Sequence, residues 1–219
     1  AQAAIAAGGV RVEGVVVEKA AVLVAAGARL DDAPAHPWVS RGGVKLAHAL
    51  DAFAVDPAGR VCLDVGASTG GFTEVLLARG AAQVIAVDVG EGQLDARIAS
   101  DPRVRSLQKT DARDLTAAML GQAPSLIVAD VSFIGLAKAL PAPLSLAARA
   151  CDLVALVKPQ FESGPRDKPV LAEAEARAIA ASVVASLDGL CGFRVKSVID
   201  SPIRGGEGAL EFLLHARRP

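Results

Sequence analysis

Five short runs of almost unbroken apolar residues recur through the middle of the chain: 60–66 (RVCLDVG), 82–90 (AQVIAVDVG), 104–109 (VRSLQK), 125–131 (SLIVADV) and 151–158 (CDLVALVK). Apolarity at consecutive positions, rather than at alternate ones, is what a parallel strand buried on both faces requires. Between these runs lie the helix-like stretches 72–79, 91–99, 115–120 and 136–150. Strand and helix signals in alternation predict a doubly wound α/β sheet. After the fifth run comes an Ala-rich, helix-like segment, 171–187, and then two more strand candidates, 193–200 and 209–216, separated only by the turn-like stretch 201–208. Two strands joined without a crossover helix form a hairpin, so the last strand is expected to run antiparallel to the others. The expected architecture is a Rossmann-like, seven-stranded, mostly parallel sheet with an antiparallel last strand.

The amino-terminal residues follow a different pattern. A small helical piece precedes GGVRVEG, VVVEKAA and VLVAAG, short strand-like runs punctuated by glycine. Residues 1–30 therefore read as a separate small module, 31–40 as a linker carrying Pro34 and Pro37, and 41–219 as the main domain.

Composition narrows the classes. With 219 residues and 52% hydrophobic content, the chain can bury one full-sized core and a small appendage. Its longest apolar stretches fall well short of the roughly 20 residues that cross a bilayer, so no membrane association is expected. The absence of a basic leader followed by an apolar run leads to the expectation of a cytoplasmic protein. The chain opens at Ala1 and its one methionine is Met119, from which a longer natural protein is expected. Cys62, Cys151 and Cys191 are widely spaced among apolar neighbours, and His36, His48 and His215 stand apart, so neither a disulfide framework nor a metal site is expected. A net charge of −1 offers no overall basic excess for nucleic acid, so any such contact has to come from a local patch.

The main candidate for ligand binding is the loop LDVGASTGGF, residues 63–72, between a strand and a helix. Glycine at that junction lets backbone N–H groups and the positive helix end approach a ligand. Gly66, Gly70 and Gly71 do not follow the spacing of nicotinamide-binding or P-loops, which favours S-adenosylmethionine as the cofactor. Asp88 ends the second strand, where a carboxylate can accept from ribose hydroxyls, and Asp111, followed by Ala112, ends the third, placed for an adenine amine. With Asp64 and Asp130, four acids stand at or near the carboxyl ends of successive strands, where open α/β sheets bind ligands. The candidate cofactor residues are Asp64, Gly66, Ala67, Ser68, Gly70, Gly71 and Phe72 from the loop, with Asp88, Asp111, Ala112 and Asp130.

Lys158 closes an apolar strand in a chain of 16 arginines and 7 lysines. A lysine can surrender its proton and then accept one from a sugar hydroxyl, which an arginine cannot do.

The runs SRGGVKL (40–46), DVGASTGGF, ADVSFI (129–134), LVKPQFE (156–162), SPIRG (201–205) and EFLL (211–214) resemble, in order and over almost the whole chain, the haemolysin-like (TlyA-type) ribosomal RNA 2′-O-methyltransferases. That family is related to the FtsJ-type RNA methyltransferases. The resemblance implies a class I methyltransferase fold, S-adenosylmethionine as cofactor, and ribosomal RNA or ribosomal subunits as partner, with cytidine as the substrate class. It also implies a catalytic tetrad of Lys45, Asp130, Lys158 and Glu211. Lys158 is the expected general base or alkoxide stabiliser, oriented by Asp130 and Glu211, with Lys45 acting on it as a neighbouring like charge. Glu207 is the rival for the fourth place, and Glu211 is preferred because it directly precedes Phe212-Leu213-Leu214. Ala209 stands where the family commonly has Asn.

The amino-terminal module resembles the second half of an S4-like RNA-binding domain without its first, basic helix, which implies weakened RNA affinity for this chain. Two other readings compete: a non-catalytic RNA-binding or haemolysin-type protein on the same fold, and a nicotinamide-dependent oxidoreductase.

Overall fold

The computed structural model describes residues 5, 9–17, 19, 21–32, 36–162 and 170–219. The chain divides into two compact units, Ala1–Pro37 and Trp38–Pro219. In the first, strands β1 (Val10–Val12), β2 (Val15–Val16) and β3 (Leu30–Asp32) form an antiparallel sheet in the order β2-β1-β3. Asp31 and Asp32, read as the start of a linker, instead pair with Arg11 and Val10. The apolar run at residues 22–25 forms no strand. Apart from Ile5, the helical piece expected before β1 lies outside the described residues.

The second unit opens with helix α1 (Arg41–Phe53), followed by β4 (Val61–Val65), α2 (Gly71–Ala78), β5 (Gln83–Val87), α3 (Ala96–Ala99) and β6 (Val104–Leu107). It continues through α4 (Ala117–Leu120), β7 (Leu126–Ala129), α5 (Leu136–Ala139), α6 (Pro141–Ser145) and β8 (Cys151–Val157). Helices α7 (Pro159–Glu162) and α8 (Glu173–Leu187) lead to β9 (Arg194–Asp200) and β10 (Phe212–Arg218). The seven strands lie in the order β6-β5-β4-β7-β8-β10-β9. Neighbours from β6 to β8 are parallel, and β10 runs antiparallel to both β8 and β9. This is the sheet expected from the apolar runs and the terminal hairpin.

All seven residues of β8 are buried, as a central strand covered on both faces requires. Alternation sends Leu63 and Val65 of β4 into one core, with Leu140, Leu144, Val183 and Leu187, and Cys62 into the other, with Leu46, Leu50, Val75 and Leu76. Each such side chain, fully buried, stabilises the fold by roughly 1.5–3 kcal/mol.

Beyond shifts of one or two residues at helix ends, three stretches differ from the sequence reading. Residues 91–95 are loop, and α3 starts only after Asp95, whose carboxylate accepts from Arg97 N–H. The segment 136–150 is two short helices, because Pro141 has no N–H to continue α5 and instead opens α6. Helix α1 was not expected as a helix at all, since two glycines in its first turn lower its helix propensity. Packing overrides that: a Cβ on Gly43 would stand 2.4 Å from the Trp38 ring, so the glycine lets the helix seat against it.

Candidate functional site

The loop after β4 crosses the carboxyl end of the sheet, and two neighbouring cavities open along it. The larger, about 870 Å³, is lined by Gly66, Ser68, Asp88, Asp111, Ala112 and Asp130 of the predicted set. The smaller, about 270 Å³, brings Ala67, Gly71 and Phe72 of the loop together with Lys45, Asp130 and Lys158. Gly66, Ser68, Asp130 and Ser132 border both. Gly66 has φ +85°, and a Cβ there would stand 2.6 Å from the Asp130 carbonyl oxygen, so no other residue lets the two strand ends approach this closely.

The acids at the strand ends are held differently. Asp88 accepts from Ser68 N–H and Gly90 N–H, each at 2.7 Å, which ties the loop to the end of β5 and leaves lone pairs free toward the larger cavity. Asp111 accepts from the backbone and guanidinium of Arg113, and these bonds hold its carboxyl down at about 2. Asp64 and Gly70, both predicted to touch cofactor, line neither cavity. Asp64 is fully buried beneath the loop, where its Oδ2 accepts from Thr73 Oγ1 at 2.6 Å, and Gly70 caps α2 against Leu94 and Ile98. Burial pushes the Asp64 carboxyl up to about 7, against the pull of the Thr73 hydroxyl, and the charges of Asp130 and Asp88 add to the rise.

Two ion pairs stand at the smaller cavity. Lys158 Nζ lies 2.5 Å from Asp130 Oδ1, at an angle outside hydrogen-bond geometry, and donates to Ser132 Oγ at 2.9 Å. Lys45 donates to Glu211 Oε2, and both side chains are more than nine-tenths buried. Glu211 reaches Lys45 because β10 enters the sheet beside β8, with Phe212 opposite Val157. The rival Glu207 is exposed on the loop before β10.

Phe133, named only within its motif, was missed as an individual residue. It is 89% exposed with φ +67° at the rim of the larger cavity, and it packs on Phe161 at a centroid distance of 5.1 Å. An aromatic three residues after a candidate acid was the available signal. Glu162 was missed in the same way: its carboxylate accepts from Leu136 N–H and caps α5 beside the cavity. Burial raises its carboxyl above the usual range, opposed by that N–H.

Among the described residues no group of three or more His, Cys, Asp or Glu side chains could hold a metal ion, and no helix is long and apolar enough to cross a membrane.

The FtsJ-like methyltransferase family matches residues 38–218. Over 218 residues the chain is 46% identical to the 16S/23S rRNA (cytidine-2'-O)-methyltransferase TlyA of Mycobacterium tuberculosis, covering 97% of this chain and 81% of that protein. A Lactococcus lactis protein described as a hemolysin, of known crystal structure, is 39% identical, with a TM-score of 0.79 over 83% of this chain and 89% of its own. An S-adenosylmethionine dependent methyltransferase from Mesorhizobium loti, at 16% identity, superposes with a TM-score of 0.56 over 78% of this chain and 96% of its own, a likeness of fold alone.

Proposed function

The chain belongs to the FtsJ-like methyltransferase family, and on that footing we propose that it transfers a methyl group from S-adenosylmethionine to a cytidine ribose 2′-hydroxyl of ribosomal RNA. The observation that carries this reading is the junction at Asp130, which borders both cavities and stands 2.5 Å from Lys158.

The residues of the larger cavity fit S-adenosylmethionine. Its volume, about 870 Å³, suits a nucleoside-sized ligand, and Asp88 and Asp111 offer acceptors for sugar hydroxyls and an amine. When bound, the cofactor supplies an electrophilic methyl group on a sulfonium.

What remains for the protein is to hold a ribose hydroxyl in line and to dispose of its proton. Lys158, at the wall of the smaller cavity, gives its own proton to solvent and then takes up that of the hydroxyl, and the Asp130 carboxylate beside it stabilises the ammonium so re-formed. Lys45, neutralised by Glu211, completes the wall without adding net charge. Alignment of the two reactants supplies much of the acceleration. The amino-terminal unit acts as the partial S4-like RNA-binding module, and the enzyme works in the cytoplasm, where its ribosomal substrate is.

Transfer of a labelled methyl group to ribosomal RNA and to intact subunits, by wild type and Lys158→Ala, tests the reading. The expected product resists alkaline cleavage at one nucleotide and is lost in the variant. Label that remains alkali-sensitive at that position, or equal incorporation by both proteins, refutes it.

A further inference from the structure

The transfer chemistry leaves one buried ionisable group beside the cleft, Asp64, without a task. Its side chain is wholly excluded from solvent. One carboxyl oxygen accepts from Thr73 Oγ1 at 2.6 Å, and the other, also buried, has no hydrogen-bond partner. An ionised carboxylate left half-satisfied in such a place is strongly disfavoured.

The neighbouring charges do not relieve it. Asp88 at the end of β5 and Asp130 at the end of β7 face it with the same sign, and Cys62 on its own strand is a buried thiol. Glu74 of α2 is turned to the backbone N–H of Val39. The nearby cations are committed elsewhere, Lys158 to Asp130 and Lys45 to Glu211. Val65 and Gly66, the two residues that follow Asp64, line the larger cavity.

We propose that Asp64 carries a proton in the free enzyme and releases it to solvent when a cationic nucleoside enters the cleft, which couples S-adenosylmethionine binding to pH. The inference rests on the cofactor reading above. A positive ligand among three carboxylates favours the ionised form of each, and across a buried path the attraction is little screened. Breaking the Asp64 O–H on binding leaves a carboxylate still held by Thr73, so the loop keeps its anchor in both states. Asp64 is thus a positioning residue that also sets the pH range of cofactor affinity.

Calorimetric titration of the whole chain with S-adenosylmethionine, in buffers of low and high ionisation enthalpy, reads the proton directly. With the carboxyl near 7, about half a proton is expected to leave at pH 7, about one near pH 6, and almost none above pH 8. In Asp64→Asn, which keeps the shape and an acceptor for Thr73, the buffer dependence disappears while binding persists. Thr73→Val removes the hydroxyl that steadies the ionised form, so there the release persists to higher pH. Buffer-independent heats in wild type, the same release in Asp64→Asn, or an unmoved profile in Thr73→Val would each overturn the proposal. No binding at all refutes the cofactor reading with it, whereas binding without proton release refutes this inference alone.

Discussion

Strand β8 carries a cluster of charged groups at each end, and the two clusters differ in what they leave unused. At the amino end Asp152 accepts from His215 Nε2 at 2.9 Å and pairs with the Arg60 guanidinium at 3.0 Å, while Arg60 also bonds Ser125 and His215 stacks on Phe53. Close by, the Arg218 guanidinium lies on the Phe193 ring and donates to the carbonyls of Leu144, Ala147, Ala148, Arg149 and Cys191. At the carboxyl end, Asp130 and Lys158 pair at 2.5 Å and line an open cavity. A cluster whose hydrogen-bonding capacity is spent within the protein holds strands together. One that keeps capacity in reserve beside a cavity is where a ligand is received.

The sharpest way to break this comparison is Lys158→Ala. Turnover is expected to fall by about 10²–10⁴-fold with cofactor affinity unchanged. An equal loss of binding in a titration would move Lys158 into the cofactor site.

Next in size is Glu211→Ala, which strands the Lys45 ammonium in a buried place. A loss of about 3–5 kcal/mol in denaturant unfolding is expected. Asp152→Asn at the other end should cost less, about 1–3 kcal/mol, because Arg60 keeps Ser125 as a partner, and turnover per folded molecule should not change. A fall in kcat for Asp152→Asn would erase the distinction between the two ends.

The ends also differ in sign toward pH. Although burial alone would raise it, hydrogen bonds from His215 and Arg60 hold the Asp152 carboxyl below its usual range. Its stabilisation is therefore complete above the ordinary carboxylate pKa of about 4, and is lost as pH falls through the depressed value. Asp64 is raised to about 7, so stability declines as pH rises from about 4 toward 7. Melting temperatures across pH 3–9 should show Asp152→Asn flattening the acid limb and Asp64→Asn flattening the limb approaching neutrality; the reverse assignment would refute both.

The smallest effect is expected at Glu207, exposed and away from the Lys45 pair. Glu207→Gln should change stability by no more than about 0.5 kcal/mol and leave turnover intact. A loss like that of Glu211→Ala would restore Glu207 as the fourth member of the tetrad.

Much of this was legible in the chain itself, because its signals are local. The apolar runs announced every strand of the large sheet. A carboxylate following such a run, as at Asp88, Asp111 and Asp130, must stand at the ligand-binding edge of a parallel sheet. Asp64 escaped that logic by its place within β4 rather than beyond it: the alternation that buries Cys62 carries Asp64 inward too. Helix α1 escaped because its Gly43 is justified only by the Trp38 ring it meets. The 136–150 stretch was read too long because its apolar spacing outweighed Pro141.

By itself, then, the sequence determined the alternation of strand and helix, the reversal of the last strand, and the edge on which loop and acids gather. These follow from periodicity and chain direction, which need no partner to be expressed. Only the tertiary structure decided which charges meet. Lys45 and Glu211 are 166 residues apart and join because β10 inserts between β8 and β9. Strand order is set by how whole faces pack, and no local pattern encodes it.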